Sequence, residues 1–440
     1  MLFHFTYSYR SVHPALLFIA SLILVTIFSS SAAVEASAVI LPLTKDPSTL
    51  QYLTQIQQRT PQVNVSLVVD IGGVYLWINC DTGYASSSYK SAQCGSAQCH
   101  LFKSRKCNGP CYLNVSRPGC NDNSCDVNVY NPVTGISTGG EVTLDLITVQ
   151  SVDRSIPGRS RSVLLNQFPF TCTPDFLLNG LAKGASGMAG LGRGRMGIPS
   201  LLTAELSLKR RFSVCLGSKG VVLIGDVKAD LSQSLSLTYT PLILNPVFTA
   251  GIRYIGDPST DYYIGVKSIN INNRAVKLNS TLLKISSDGI GGTKLSSVNP
   301  YTVMESSIYN AVITAFRNEV AHIPTVAPVS PFGLCYGSGN FRSTPIGPAV
   351  PRIDLVLQSN SVKWSILGAN SMVQVSDGVM CLGVVDGGEN SYQMASIAIG
   401  GYQLEDVLLE FDLADSKLGF SSSMLLKGIS CSDLNLTSIA

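Results

Sequence analysis

Asp70 is the side chain in this sequence best placed for chemistry. It follows the apolar run Leu67-Val68-Val69 and precedes Ile71-Gly72-Gly73, so a strand delivers a carboxylate into a glycine-bearing turn. A carboxylate held in this way can serve as general base or general acid when a second acid shares its proton. Alone the pattern is common, because aspartate and glycine are ordinary turn formers. Other reactive groups are sparse. Beyond the N-terminal segment the only imidazoles are His100 and His322. The pairs Cys94/Cys99 and Cys107/Cys111 have knuckle-like spacing, but so few histidines leave a metal site unsupported, and the 12 cysteines are expected to form disulfides. No metal and no cofactor is expected. The glycine-rich stretch 184–197 is not a nucleotide loop: it lacks the GxGxxG order and no Gly-Lys-Ser/Thr follows.

The elements that position Asp70 read as short strands joined by turns. Hydrophobic residues make up 45% of the 440-residue chain and charged residues only 13%, with 39 glycines and 21 prolines. Such a length suits two lobes of about 200 residues each. Apolar stretches over 49–77 flank the Asp70 turn, and alternation is clear over 141–149 and 262–272, with a turn expected at Asn273-Arg274. Glycines interleaved with apolar residues in Gly187-Met188-Ala189-Gly190-Leu191-Gly192 predict closely packed backbones. Helices are predicted over 199–209 and 306–318, the latter with Ile308, Val312, Ile313 and Phe316 on one face. Residues 237–246 read as a crossover between halves, and Trp77 and Phe316 as core.

The N-terminus resembles a secretory leader: Arg10 and His13, an apolar run over 15–28, then small residues to Ala38. The expected organisation is a signal peptide over 1–37 and lobes over 38–236 and 237–440. The run is short for a membrane span, so no membrane partner is expected. A formal net charge of +3, with Lys209-Arg210-Arg211 the longest basic run, gives no nucleic-acid partner. Sequons at Asn64, Asn114, Asn279 and Asn435 are expected glycan acceptors.

Four segments in order resemble pepsin-type aspartic proteases. Val68-Val69-Asp70-Ile71-Gly72-Gly73 with Leu76-Trp77 is similar to that family's hydrophobic-hydrophobic-Asp-Thr-Gly-Ser strand. Gly187-Met188-Ala189-Gly190-Leu191-Gly192 is similar to the glycine element of its first lobe. Gly291-Gly292-Thr293-Lys294-Leu295-Ser296-Ser297-Val298 stands where the second Asp-Ser/Thr-Gly belongs. Ile397-Ala398-Ile399-Gly400-Gly401, Phe411-Asp412 and Leu418-Gly419-Phe420 resemble the closing segment. The resemblance implies an all-β, bilobal, disulfide-rich pepsin-like fold with one active-site turn per lobe. The departures are specific. Ser296 stands for the second aspartate, Val298 for its glycine, Ile71 for the first threonine and Gly73 for the first serine. No tyrosine lies in register within 131–135 for the flap, although Tyr130 is adjacent. A serine cannot share a proton with Asp70; rescue by Asp288 would require it to reach the cleft.

Within that group, Thr44-Lys45-Asp46-Pro47-Ser48-Thr49-Leu50-Gln51-Tyr52, Arg117-Pro118-Gly119-Cys120-Asn121, Asn299-Pro300-Tyr301-Thr302, Ile353-Asp354-Leu355-Val356-Leu357-Gln358 and Cys381-Leu382-Gly383-Val384-Val385-Asp386-Gly387-Gly388 resemble the plant extracellular dermal glycoproteins and xyloglucan-specific endoglucanase inhibitor proteins, relatives of basic globulins and cereal xylanase inhibitors. The resemblance implies a secreted apoplastic protein of the cell wall, inactive as a protease, that inhibits a microbial endoglucanase or xylanase by inserting loops into its cleft. It implies bridges Cys335–Cys381 and Cys215–Cys431. It places inhibitory-loop candidates at Arg342 and Lys427, with Pro345 and Gly428 where arginines are familiar. Two alternatives stay open: a residual aspartic endopeptidase using Asp70, and a storage or peptide-binding globulin.

Overall fold

Along Tyr52–Gln58 every second side chain is buried, as a strand with one face on the core requires. A computed structural model describes this strand and the rest of residues 36–111, 115–153, 160–226, 235–251, 254–359, 361–389 and 395–434. The expected leader lies outside them apart from its last two positions, as do Asn114 and Asn435. Tyr52–Gln58 pairs antiparallel with Val63–Asp70, from Leu53 opposite Val68 to Gln58 opposite Val63. In that second strand Leu67, Val68 and Val69 are all fully buried, so it is apolar on both faces until it ends at Asp70.

Each half of the chain then builds the same crossing. In the first, Gly187–Gly190 runs parallel to Val63–Asp70, with Gly190 opposite Asp70, and antiparallel to Leu76–Asn79. In the second, Ile397–Ile399 runs parallel to Thr293–Leu295 and antiparallel to Thr302–Met304. Glycine is required where these backbones meet: a Cβ on Gly190 would stand 2.3 Å from the Tyr75 carbonyl oxygen. The two crossings deliver the turns after Asp70 and after Leu295 from corresponding strand ends.

The halves share hydrogen bonds. Arg211–Cys215 pairs with Leu408–Asp412, and Thr238–Ile243 pairs with Lys417–Phe420. Among the described residues, twenty strands join in one sheet. Phe212 and Phe411 stack across this junction with centroids 4.6 Å apart, and Tyr262 lies 4.6 Å from Phe411; all three are fully buried. Such aromatic pairs contribute about 0.5–1.5 kcal/mol each beyond the area they bury.

Two segments differ from the sequence reading. Residues 237–246 do not merely cross over: Thr238–Ile243 is a strand between Lys417–Phe420 and Tyr263–Ile264. Its side chains at 240 and 242 are buried while 239, 241 and 243 are exposed, a period of two that the prolines obscure. Residues 262–272 are not one strand. The chain breaks after Ile264, and Ser268–Ile271 joins a different sheet, against Ile353–Val356. The following turn is Asn272-Asn273, both with positive φ, a hairpin turn suited to asparagine.

Helices are few. Ser306–Glu319 is capped by Glu305, whose carboxylate accepts from the Ser307 and Ile308 N–H groups, and it buries Ile308, Val312 and Phe316. Ile198–Glu205 is shorter than predicted, since the chain turns through Ser207 at positive φ. Every cysteine is paired: Cys80–Cys172, Cys94–Cys107, Cys99–Cys125, Cys111–Cys120, Cys215–Cys431 and Cys335–Cys381. Four of these bonds hold the region 80–125, which has little regular structure of its own.

Candidate functional site

Both turns open into one cleft, lined among others by Asp70, Gly73, Tyr130, Asp261, Lys294, Ser296 and Val298. The Asp70 carboxylate accepts the Gly72 N–H at 3.0 Å, the local bond expected of an aspartate in a tight turn. Ser297 reaches over from the other turn: its hydroxyl donates to the Val69 carbonyl at 2.7 Å and accepts the Ile71 N–H at 3.0 Å. The cradle binding the two turns together is thus built by Ser297 from one side, while Ile71 on the other is fully buried in the core.

Ser296 is 5% exposed and turned onto its own loop. Its hydroxyl donates to Asn299 Oδ1 at 2.8 Å and accepts the Asn299 N–H at 3.1 Å. Val298, buried, packs into the first half's apolar cluster with Val68, Trp77 and Met188. The second turn, Ser296-Ser297-Val298-Asn299, carries no carboxylate.

The charges in the cleft come from elsewhere. Asp261, at the entrance to Tyr263–Ile264, lies against the first turn so closely that a Cβ on Gly72 would fall 2.1 Å from its Oδ1. Its Oδ2 accepts from Lys294 Nζ, Thr249 Oγ1 and Ser259 Oγ, each at 3.3 Å. Burial pushes the Asp70 carboxyl up to about 6, with the Asp261 charge adding to the rise and Lys294 and the Gly72 and Gly73 N–H groups opposing it. Burial works against the Lys294 ammonium, yet Asp261, Tyr263 and Asp70 together hold its pKa above the ordinary lysine value. Tyr130 stands over this cluster on Cys125–Asn131; burial raises its phenol, Lys294 opposes the rise, and both aspartates add to it.

A roof completes the site. Gly251, at φ 73°, lies so close to the hairpin formed by Cys125–Asn131 and Ile136–Asp153 that a Cβ would meet Ser137 Oγ at 2.2 Å and Tyr130 Cδ2 at 2.7 Å. The cavity left beneath is about 80 Å³. That is room for a few waters, each needing about 10–15 Å³ on this measure.

The sequence reading locates Asp70 and Ser296 but not Asp261 or Lys294. Lys294 had a signal: it stands two residues before Ser296, on the strand Thr293–Leu295 that leads into the second turn, and both line the cleft. Asp261 had none, since only tertiary folding carries it to Gly72. Asp288, raised as a second acid, does not line the cleft. Arg342 is exposed after the 3-10 turn Ser338–Asn340, and Lys427 is exposed at the end of Met424–Lys427. Gly428 closes that turn at φ 68°, a conformation that disfavours the arginine familiar there. Asn64 and Asn279 are exposed. Among the described residues no cluster of three or more metal-ligating side chains occurs.

Two mirrored crossings, a shared sheet and a cleft at their turns define a pepsin-like aspartic proteinase fold. An aspartic proteinase from Irpex lacteus shares that fold at 14% identity, TM-score 0.53, covering 89% of this chain and 99% of its own. The chain belongs to the xylanase-inhibitor family: the xylanase inhibitor N-terminal model matches residues 52–226 and the C-terminal model residues 261–422. It is 51% identical to the probable aspartic proteinase GIP2 of Nicotiana benthamiana, over 97% of each chain. The solved structure of edgp superposes with TM-score 0.86 at 48% identity, covering 92% of this chain and 99% of that one. Soybean basic 7S globulin superposes with TM-score 0.77 at 34% identity, covering 91% and 99%.

Proposed function

We propose that this chain is a secreted, proteolytically inactive pepsin-like protein that inhibits microbial cell-wall glycoside hydrolases, of the xyloglucan endoglucanase or xylanase type. The observation that carries the reading is the match of both halves to xylanase-inhibitor models. The cleft supports the inactive part. A proteinase dyad needs two acids that trade one proton across a water. Here the partner position is Ser296, bonded to Asn299, and the second nearby acid, Asp261, is paired with Lys294. Lys294 stands between Asp261 and Asp70 and opposes the rise of the Asp70 carboxyl, unlike the isolated pair of acids of a proteinase dyad, and the roof at Gly251 narrows the cleft.

Inhibition then falls to the exposed loops. Arg342 and Lys427 offer cations that can pair with the two carboxylates of a glycosidase active site. Export to the apoplast is supported by the leader-like N-terminus and by the pairing of all cysteines, which an oxidising compartment favours. The named relatives also include globulins, and a wall protein with a storage or peptide-binding role is the second reading.

The test is a titration of purified glycosylated protein into a panel of microbial xyloglucan endoglucanases and xylanases. Stoichiometric loss of one activity, weakened in Arg342→Ala or Lys427→Ala, is expected. Full activity of every hydrolase at a large molar excess of the protein would reject the inhibitor reading.

A further inference from the structure

A second groove, with a volume of about 580 Å³, adjoins the cleft. One wall is the basic segment of the cysteine-rich region, with Lys103, Arg105 and Lys106; the other is the glycine turn carrying Arg193 and Arg195. Two carboxylates, Asp126 and Asp257, line it as well. Five cations against two acids give an excess of three, equal to the formal charge of the whole chain. The groove is therefore locally basic, and low-dielectric walls focus the field of such a site.

The charges are only partly satisfied from within. Lys103 and Arg105 both face Asp257, and neither is buried: their side chains are 64% and 62% exposed. Arg193 spends its guanidinium on neutral acceptors, the Ile243 carbonyl at 3.2 Å and Ser416 Oγ at 3.4 Å. Arg195 is exposed and has no ion pair or side-chain hydrogen bond among the described residues. The scaffold is rigid on both sides. Cys94–Cys107 and Cys99–Cys125 pin the basic segment, and Met196, beside Arg195, is buried in the core cluster. Two aliphatic side chains remain open to solvent along the groove, Leu101 at 42% and Leu244 at 48% exposure.

We infer that this groove binds an extended acidic peptide segment of a partner protein, in which carboxylates alternate with apolar side chains. An extended strand turns successive side chains to opposite sides, so carboxylates can meet the cationic rim while apolar groups meet Leu101 and Leu244. A uronate oligosaccharide fits less well. Sugar rings pack on open aromatic faces, and two of the groove's three aromatic rings, Tyr75 and Phe102, are stacked on each other with centroids 5.2 Å apart, which leaves only the half-buried Phe248. The inference goes beyond inhibition of a glycosidase and uses other elements than those carrying Arg342 and Lys427.

The experiment is fluorescence anisotropy with full-length glycosylated protein and the labelled hexapeptide Glu-Leu-Asp-Phe-Glu-Leu, at low and high salt. Saturable binding is expected, weakening as salt rises, and at least about tenfold weaker for Gln-Leu-Asn-Phe-Gln-Leu. The double variant Lys106→Glu/Arg195→Glu should also lose about tenfold or more, with its unfolding midpoint unchanged. Leu244→Asp is the second variant, and it should weaken the acidic peptide through the apolar contact as well as the charge. Equal binding of the two peptides, no binding of either, or binding of hexagalacturonate in place of the acidic peptide would each overturn the inference.

Discussion

The two halves of the molecule cross their strands in the same way, and their turns do opposite things with charge. The first turn keeps Asp70, a carboxylate whose pKa is raised to about 6 by burial and by Asp261. The second carries a hydroxyl, that of Ser296, folded onto Asn299, and sets Val298 in the apolar cluster beside it. Between them stands Lys294, delivered by the second half's own strand and bonded to Asp261. Backbone topology is shared between the halves because parallel and antiparallel pairing fix it. The chemistry is not, because it depends on which side chains stand at and around each turn, and these differ between the halves. Backbone shape and the side-chain chemistry of the turns are therefore separable in this fold.

The comparison breaks first at Lys294. Lys294→Met leaves Asp261 and Asp70 facing each other without a cation, and removal of one partner from a largely buried pair costs about 3–4 kcal/mol. Urea unfolding at pH 7 should show the loss, and the deficit should shrink toward pH 4 as the Asp70 carboxyl protonates. Substitution in the first turn should act with the opposite sign. The Asp70 carboxyl ionises at about 6 in the folded protein and near 3.8 when free, so its charge destabilises the fold increasingly as pH rises through that window and fully above it. Asp70→Asn removes the cost. It should match the parent near pH 3.5 and be more stable by about 2–3 kcal/mol at pH 7, read by chemical denaturation at both pH values.

Smaller effects sharpen the same contrast. Val298→Ala should cost about 1–2 kcal/mol through the space it opens beside Trp77 and Met188, measured by thermal unfolding. Ser296→Ala removes both local hydrogen bonds to Asn299 and should cost about 1–2 kcal/mol without altering the pH dependence that Asp70 imposes.

Much of the fold was legible because it rests on local pattern. The Asp70 turn, the glycine element before Leu191 and the helix over 306–319 each announce themselves by spacing or periodicity. The strand at Thr238–Ile243 was hidden by Pro241 and Pro246, which mimic a linker, and the break after Ile264 was marked only by a slip of phase, from Ile264 and Val266 to Ile269 and Ile271. In the cleft, the identity of residues 70 and 296 could be read directly. The neutralisation of Asp70's surroundings could not, since Asp261 lies far along the chain and reaches Gly72 only through the junction of the two halves. The roof depends on a loop packing against a hairpin, for which Gly251 left no distinctive motif.

The most direct test of the separation between backbone shape and the chemistry of the turns is a casein digestion series over pH 2.5–6, with the parent protein and with Ser296→Asp. No cleavage is expected from either, because restoring one carboxylate leaves Lys294, Asp261 and the roof in place. Casein cleavage by the parent protein that disappears in Asp70→Asn would contradict the account and return the chain to the aspartic endopeptidases.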